Sequence, residues 1–160
     1  MAAPQPITPA AISKHAQALL QTPVVVKKLP TGELKSPLVI GTIQDDAGAL
    51  VCAVVAELAC AGSAGAALSK IPAGAVQDLL RRSLLLDEDL LANYHEVVNV
   101  LTVLTTAALG RRTVLRAVEQ TKGTPDEAVQ TLMKEARTKL YLSVSVQGYP
   151  AGAMNLYLQD

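Results

Sequence analysis

The chain has 160 residues, 50% of them apolar, and its 14 basic residues balance 14 acidic ones. This length suits one domain, spanning 1–160, with a full hydrophobic core, and the balanced charge without a basic stripe argues against nucleic-acid binding. Phe and Trp are absent and only 4 Tyr occur, so the core must be aliphatic and aromatic stacking surfaces for single-stranded nucleic acid are missing.

Several features of the sequence predict a soluble cytoplasmic protein. Residues 1–8 lack the cationic and apolar regions of a signal peptide, and we expect them to form a flexible segment. The longest apolar run, 47–66, is interrupted by Glu57 and three glycines, so no membrane span is expected. Cys52 and Cys60 have no His or Asp neighbours, which favours two buried thiols over a metal site.

The first half of the chain predicts a helix, three strands and two more helices. The helix ends before Thr22-Pro23, and an acidic pair closely followed by glycine at 45–48 is typical of a hairpin turn. In chain order the predicted elements are a helix over 9–20, strands over 24–28, 37–44 and 49–57, and helices over 59–70 and 75–82.

The second half predicts a long helix, followed by strands around a shorter helix. Asp87 is the expected N-cap of the long helix over 87–109, and Gly110 ends it. The run TPDE at 124–127 reads as a capping box with proline at the first helical position, which predicts a helix over 125–137. The remaining predicted elements are strands over 112–120, 140–147 and 153–158. The predicted fold is α+β, an antiparallel sheet built from hairpins with helices packed on it.

One side of the long helix carries a carboxylate and an amide from which chemistry can be argued. The apolar stripe, which should face the core, consists of Leu90, Leu91, Tyr94, Val98, Leu101 and Leu104. Glu96 and Asn99 fall together on the opposite side, within one turn of each other. The same side also carries Asp89, Ala92, Val100 and Val103. Two valines beside a carboxylate and an amide favour a docking surface over a plain solvated face.

The order of elements and the Glu-x-x-Asn motif resemble the CheC/CheX/flagellar-switch phosphatase family, and CheX in particular. The resemblance extends from Ile7 to Leu158. In that family the motif helix reads Glu-Leu-x-Asn-Met-Ile-x-Gly-Asn-Ala or close to it, whereas the run at 96–105 here is EVVNVLTVLT. The Glu and Asn are kept, but Val103-Leu104 replaces the Gly-Asn pair, and 121–137 resembles a helical insertion. The chain is therefore identified as a divergent member.

This resemblance implies hydrolysis of an aspartyl phosphate on a response-regulator receiver domain, in chemotaxis or motility signalling. Asn99 would orient the attacking water, and Glu96 would pair with a lysine of the receiver. The receiver would supply Mg²⁺, so the chain needs no cofactor of its own. The contact with the partner would be made by Asp89, Ala92, Val100 and Val103.

Two alternatives of a different class remain open. The first is a non-catalytic module of the same fold, which binds a receiver or another motility or signalling protein through the same helix side. The second is a structural homodimer that buries the valine-bearing side. A homodimer is also expected because sheet edges need protection. His95, beside Glu96 in sequence, points about 100° away from it and is interpreted as a polar flank residue.

Overall fold

An antiparallel sheet of six strands forms the middle of the structure, a computed structural model that describes residues 3–82 and 84–160. Its strands are β1 (Val24–Lys28), β2 (Leu38–Asp45), β3 (Leu50–Glu57), β4 (Thr113–Thr121), β5 (Thr138–Val146) and β6 (Gly152–Leu158). They lie in the order β1-β5-β6-β3-β2-β4, and every neighbouring pair is antiparallel. The hairpins β2-β3 and β5-β6 supply four of these strands. The α+β antiparallel fold predicted from the sequence is confirmed.

Helices pack on both faces of the sheet. They are α1 (Pro9–Leu20), α2 (Leu58–Leu68), α3 (Ala73–Arg82), α4 (Glu88–Leu109) and α5 (Glu127–Glu135). On one face, α1, α2 and α4 form the main core with buried strand residues such as Val54, and α3 packs against α2. On the other face, Val129 and Leu132 of α5 cover a smaller core that includes Val55. Adjacent β3 residues thus enter different cores, since side chains alternate across a strand.

Glycines set the height of α4 above the sheet and its distance from α2. A methyl group at Gly41 on β2 would lie 2.7 Å from a side-chain carbon of Val98. A methyl group at Gly65 on α2 would lie 2.8 Å from the carbonyl oxygen of Leu90. Both distances are shorter than real Cβ contacts, so α4 sits where only glycine fits beneath and beside it.

Both ends of α4 are fixed by the residues that the sequence indicated. The Asp87 carboxylate accepts a hydrogen bond of 2.9 Å from the Leu90 N–H, which satisfies one free donor of the first turn. At the other end Gly110 adopts φ 68°, and its N–H donates to the Thr106 carbonyl. The buried hydroxyls of Thr105 and Thr113 lie 2.6 Å apart and tie the last turn to β4.

The start of α5 differs from the expectation. The predicted capping box placed the N-cap at Thr124 and proline inside the helix, but the helix begins at Glu127 and its N-cap is Asp126. The Asp126 carboxylate accepts a hydrogen bond of 3.0 Å from the Val129 N–H. It therefore performs the capping role that the Thr124 hydroxyl was expected to have. The helix also ends earlier, at Glu135, because Ala136 has an extended backbone that leads into β5.

Residues 5–8, within the 1–8 segment that we expected to be flexible, contact the body of the domain, whereas residues 1 and 2 lie outside the described residues. The Gln5 N–H donates to the Ala107 carbonyl at 3.0 Å, Ile7 is buried, and the Thr8 hydroxyl caps α1. Burial of one isoleucine and capping of one helix hold residues 5–8 against the body. In the described ranges, no helix is both long and apolar enough to span a membrane.

Candidate functional site on helix α4

Glu96 and Asn99 lie side by side on the outer surface of α4, and both side chains are exposed. Beneath them, Val98 is 0% exposed and Leu101 is 6% exposed. This is the arrangement expected from the helical period. Because α4 packs on α2 and the sheet beneath, the pair is carried by a continuous helix rather than by a loop.

The surroundings of the pair match the sequence expectation except at Val100. Asp89 and Ala92 are exposed, and Val103 is 56% exposed, the highest value among the large hydrophobic side chains of the described residues. Val100 is half-buried and lines an apolar crevice between α1 and α4, because α1 packs beside this turn of α4. We therefore define the α4 face by its exposed members, which are Asp89, Ala92, Glu96, Asn99 and Val103.

Within the described part of the chain, neither Glu96 nor Asn99 uses its side chain in an internal hydrogen bond or ion pair. The Asn99 main-chain carbonyl accepts a hydrogen bond of 2.7 Å from the Thr102 hydroxyl, and this contact does not engage the Asn99 side chain. A carboxamide that is not engaged can donate and accept at the same time, and a carboxylate can accept from a cation. Both groups are therefore available to an external molecule.

A second asparagine on the same helix shows the contrast. The Asn93 amide donates to the Gly65 carbonyl at 2.9 Å and to the Ser69 hydroxyl at 2.8 Å. Asn93 thus holds α4 on α2, which is a structural role, whereas Asn99 faces outward. Helix α4 therefore carries one asparagine whose amide is used in packing and one whose amide makes no hydrogen bond with the described residues.

A shallow depression adjoins Glu96 on the side facing β4. Its volume is about 510 Å³, and its walls are formed by Glu88, Leu91, Ala92, His95, Glu96 and Val118. His95, which we interpreted as a plain flank residue, thus shares a depression with Glu96. The sequence did not indicate that Val118 of β4 would line this depression. Val118 lies beside α4 because the chain turns back after Gly110 to form β4.

Other candidate residues have structural roles. The Asp45 carboxylate accepts from the N–H groups of Ala47 and Ala49, each at 3.0 Å, as expected for turn chemistry. Burial raises the pKa of Cys60 to about 12 and raises the pKa of Cys52 still further, so neither thiol forms a thiolate near neutral pH. In the ranges 3–82 and 84–160, no three His, Cys, Asp or Glu residues lie close enough to hold a metal ion.

Comparison with known proteins gives matches in structure only. No family model and no curated protein sequence matches the chain. A chain of the FliM–SpeE complex from H. pylori matches with a TM-score of 0.65 and 11% identity, over 94% of this chain and 81% of that one. FliY of Thermotoga maritima matches with a TM-score of 0.61 and 11% identity, over 92% and 82%. A chain of the FliG–FliM complex from H. pylori matches with a TM-score of 0.55 and 14% identity, over 94% and 86%.

The chain has the CheC/CheX-like fold. The resemblance inferred from the order of elements and the motif is thereby confirmed at the level of fold, which is as far as 11–14% identity reaches. Within this fold, Val103 and Leu104 occupy different environments. Leu104 is buried in the core and Val103 adds an apolar group to the α4 face.

Proposed function

We propose that this CheX-like protein acts in motility or chemotaxis signalling by binding a phosphorylated receiver domain through the α4 face and hydrolysing its aspartyl phosphate. The observation that carries the proposal is the free Glu96–Asn99 pair on one rigid helix surface. Protein binding by this fold is supported by FliM, which is found in complexes with SpeE and with FliG.

The chemistry asked of Asn99 is modest. An acyl phosphate is already reactive, so the protein need only hold a water molecule in line with the phosphorus. A carboxamide suits this task because it donates to and accepts from water, and it has no negative charge to repel the phosphoryl group. Asn99 is exposed and near the middle of a helix fixed at both ends, so its amide can be positioned without loop movement.

Glu96 is proposed to fix the register of the complex. Its carboxylate, one turn before Asn99, would pair with a lysine of the receiver, and such a charge-assisted contact strengthens as water is excluded. Ala92 and Val103 lie along the same surface and would supply apolar contact around the pair. The face therefore combines two carboxylates, one amide and small apolar groups.

The first experiment tests the amide. Candidate receivers are phosphorylated with a small phosphodonor, and phosphate release and binding are followed separately. Asn99→Ala should slow phosphate release on the order of 100-fold while changing the dissociation constant little, because the amide acts in the transition state. Gln77→Ala, which removes another exposed helical amide, on α3, is the matched control and should leave both values unchanged. Equal phosphate release by the Asn99→Ala variant and the wild type would contradict this role.

The second experiment tests the carboxylate. Glu96→Ala should weaken receiver binding as well as turnover, and the loss should be greater at low salt because screening weakens exposed ion pairs. Glu135→Ala removes an exposed helical glutamate of α5, on the other side of the sheet, and should have no effect. A loss of affinity that does not change with salt would argue against an ion pair at Glu96.

A binding-only module is the second candidate, and the replacement of Gly-Asn by Val103-Leu104 favours it. It predicts that the wild type binds a receiver or another motility protein without releasing phosphate. Val103→Asp should then abolish association, because an unpaired charge enters an apolar contact, and should leave folding intact because the position is exposed. A wild type that neither binds nor dephosphorylates any receiver would defeat both candidates.

A further inference from the structure

The apolar crevice between α1 and α4 extends from half-buried side chains to two buried polar groups. Leu19 of α1 and Val97 and Val100 of α4 are half-buried and form its mouth. At its inner end, Tyr94 of α4 is 1% exposed and Cys60 of α2 is 3% exposed. The volume of the crevice is about 40 Å³. Since one water-sized probe needs about 10–15 Å³, this space suits a group of roughly three non-hydrogen atoms.

The Tyr94 hydroxyl at the inner end has no hydrogen-bond partner among the described residues. Buried polar groups are nearly always hydrogen-bonded, because an unpaired one loses the bonds that it makes to water in the unfolded chain. Burial, and then the proximity of Cys60, raise the pKa of Tyr94, so the hydroxyl keeps its proton at neutral pH. The crevice therefore holds a hydrogen-bond donor that lacks an acceptor.

The other side chains of the crevice determine what kind of acceptor fits. Apart from Tyr94 and Cys60, the described residues that line it are aliphatic or methionine. None of them carries a positive charge, so an anion would lose its hydration there without compensation. Water is also a poor partner, because a buried water usually makes about three hydrogen bonds and a thiol is only a weak second partner. The lining therefore favours an uncharged, largely apolar molecule with one acceptor.

We propose that this crevice is a binding site for a small neutral aliphatic molecule with a carbonyl group near one end. The carbonyl oxygen accepts a hydrogen bond from the Tyr94 hydroxyl, and the alkyl chain lies in the mouth between α1 and α4. Val98 and Val100 both line the crevice and flank Asn99 in the sequence. The ligand thus contacts the turn of α4 that carries this amide, while the exposed side chains of the α4 face stay free.

Three probes of nearly equal shape test the class of ligand. They are 2-pentanone, 2-methyl-1-pentene, which lacks the oxygen, and butanoate, which carries a charge. In methyl NMR spectra, 2-pentanone should shift the signals of Val97, Val100 and Leu101 with a dissociation constant on the order of 1 mM, as expected for so small a ligand. The signals of Val129, in the smaller core on the other face of the sheet, should not move. Butanoate should leave all of these signals unchanged.

Two substitutions test the position of the ligand. Tyr94→Phe should weaken binding of 2-pentanone about 10-fold, because the carbonyl loses its donor, and should leave binding of 2-methyl-1-pentene unchanged. Ala16→Leu adds bulk to a half-buried position that lines the crevice and should prevent binding of both probes. Ala18→Leu makes the same change at an exposed position of α1 and is the matched control. Circular dichroism establishes that each variant is folded.

Several results would overturn the proposal. One is a wild type whose crevice signals do not move at about 10 mM 2-pentanone, well above the expected dissociation constant. Another is a Tyr94→Phe variant that keeps its affinity for the ketone, or loses affinity equally for the ketone and the alkene. Binding of butanoate in the crevice would contradict a site for neutral molecules. These measurements do not involve phosphate release, so they are independent of the proposed receiver chemistry.

Discussion

Gly65 is the residue through which α2 determines the position of the candidate site. Alanine normally stabilises a helix relative to glycine by about 0.5–1 kcal/mol, but here its methyl group would lie 2.8 Å from the Leu90 carbonyl oxygen. We predict that Gly65→Ala lowers the free energy of unfolding by about 1–3 kcal/mol, because the backbones of α2 and α4 must separate. Urea unfolding measures the change.

A glycine on the neighbouring helix provides the matched control. Gly74 lies near the start of α3, and a methyl group there would meet nothing within 4 Å. Gly74→Ala should therefore raise the free energy of unfolding by up to about 1 kcal/mol. If both substitutions proved stabilising, close packing of α2 on α4 would be refuted.

At the scale of elements, the sequence predicts correctly those features that depend on residues close together in the chain. The turn at 45–48, the caps of α4 and the alternation in β5 depend on neighbouring residues, and those elements match their predictions closely. The exposure of Glu96 and Asn99 likewise follows from helical period alone. The order of the strands, and the face of the sheet that α5 covers, depend on contacts between distant segments, which no local pattern contains.

The same distinction explains the errors at the site. Val100 is half-buried because α1, far away in sequence, packs beside it, and Val118 reaches the depression near Glu96 from β4. At α5, we expected the N-cap at Thr124, two positions before the residue that caps the helix. The hydrogen bond to the Val129 N–H decides for Asp126.

This correction can be tested on the element itself. Asp126→Ala should lower the free energy of unfolding by about 1 kcal/mol, because it leaves an N–H group of the first turn without its acceptor. Thr124→Ala should change it by less than about 0.5 kcal/mol, as is usual for a surface position. Thermal or urea unfolding of both variants gives the comparison, and a larger cost at Thr124 would restore the original assignment.

At the scale of the whole molecule, three buried groups that can lose a proton make the free energy of unfolding depend on pH in the alkaline range. Burial raises the pKa of Cys60 to about 12, with Glu57 acting in the same direction, and burial also raises the pKa of Cys52 and of Tyr94. In the unfolded chain, the thiols return to a pKa near 9.0 and the phenol to one near 10.0. Above those values the unfolded chain loses protons that the folded chain keeps.

The direction of the effect follows from proton linkage. Below about pH 9 the three groups are protonated in both states, so the free energy of unfolding is at its full value with respect to them. As the pH rises above about 9, the unfolded chain loses thiol protons that the folded chain keeps. Each such thiol lowers the free energy of unfolding by up to about 1.4 kcal/mol per pH unit. Urea unfolding at about pH 7.5, 9.5 and 10.5 should therefore show a progressively steeper loss of stability.

Tyr94→Phe isolates one of the three acids. The Tyr94 hydroxyl is buried and has no hydrogen-bond partner among the described residues, so its removal should leave stability at neutral pH unchanged or raise it by about 1 kcal/mol. Above about pH 10 the variant should lose stability less steeply than the wild type, because one ionisation no longer favours the unfolded chain. Parallel pH profiles for the variant and the wild type would contradict a buried phenol at this position.

The burial of the two thiols can be measured separately by alkylation. Both thiols should resist iodoacetamide in the folded protein and should react when urea unfolds it.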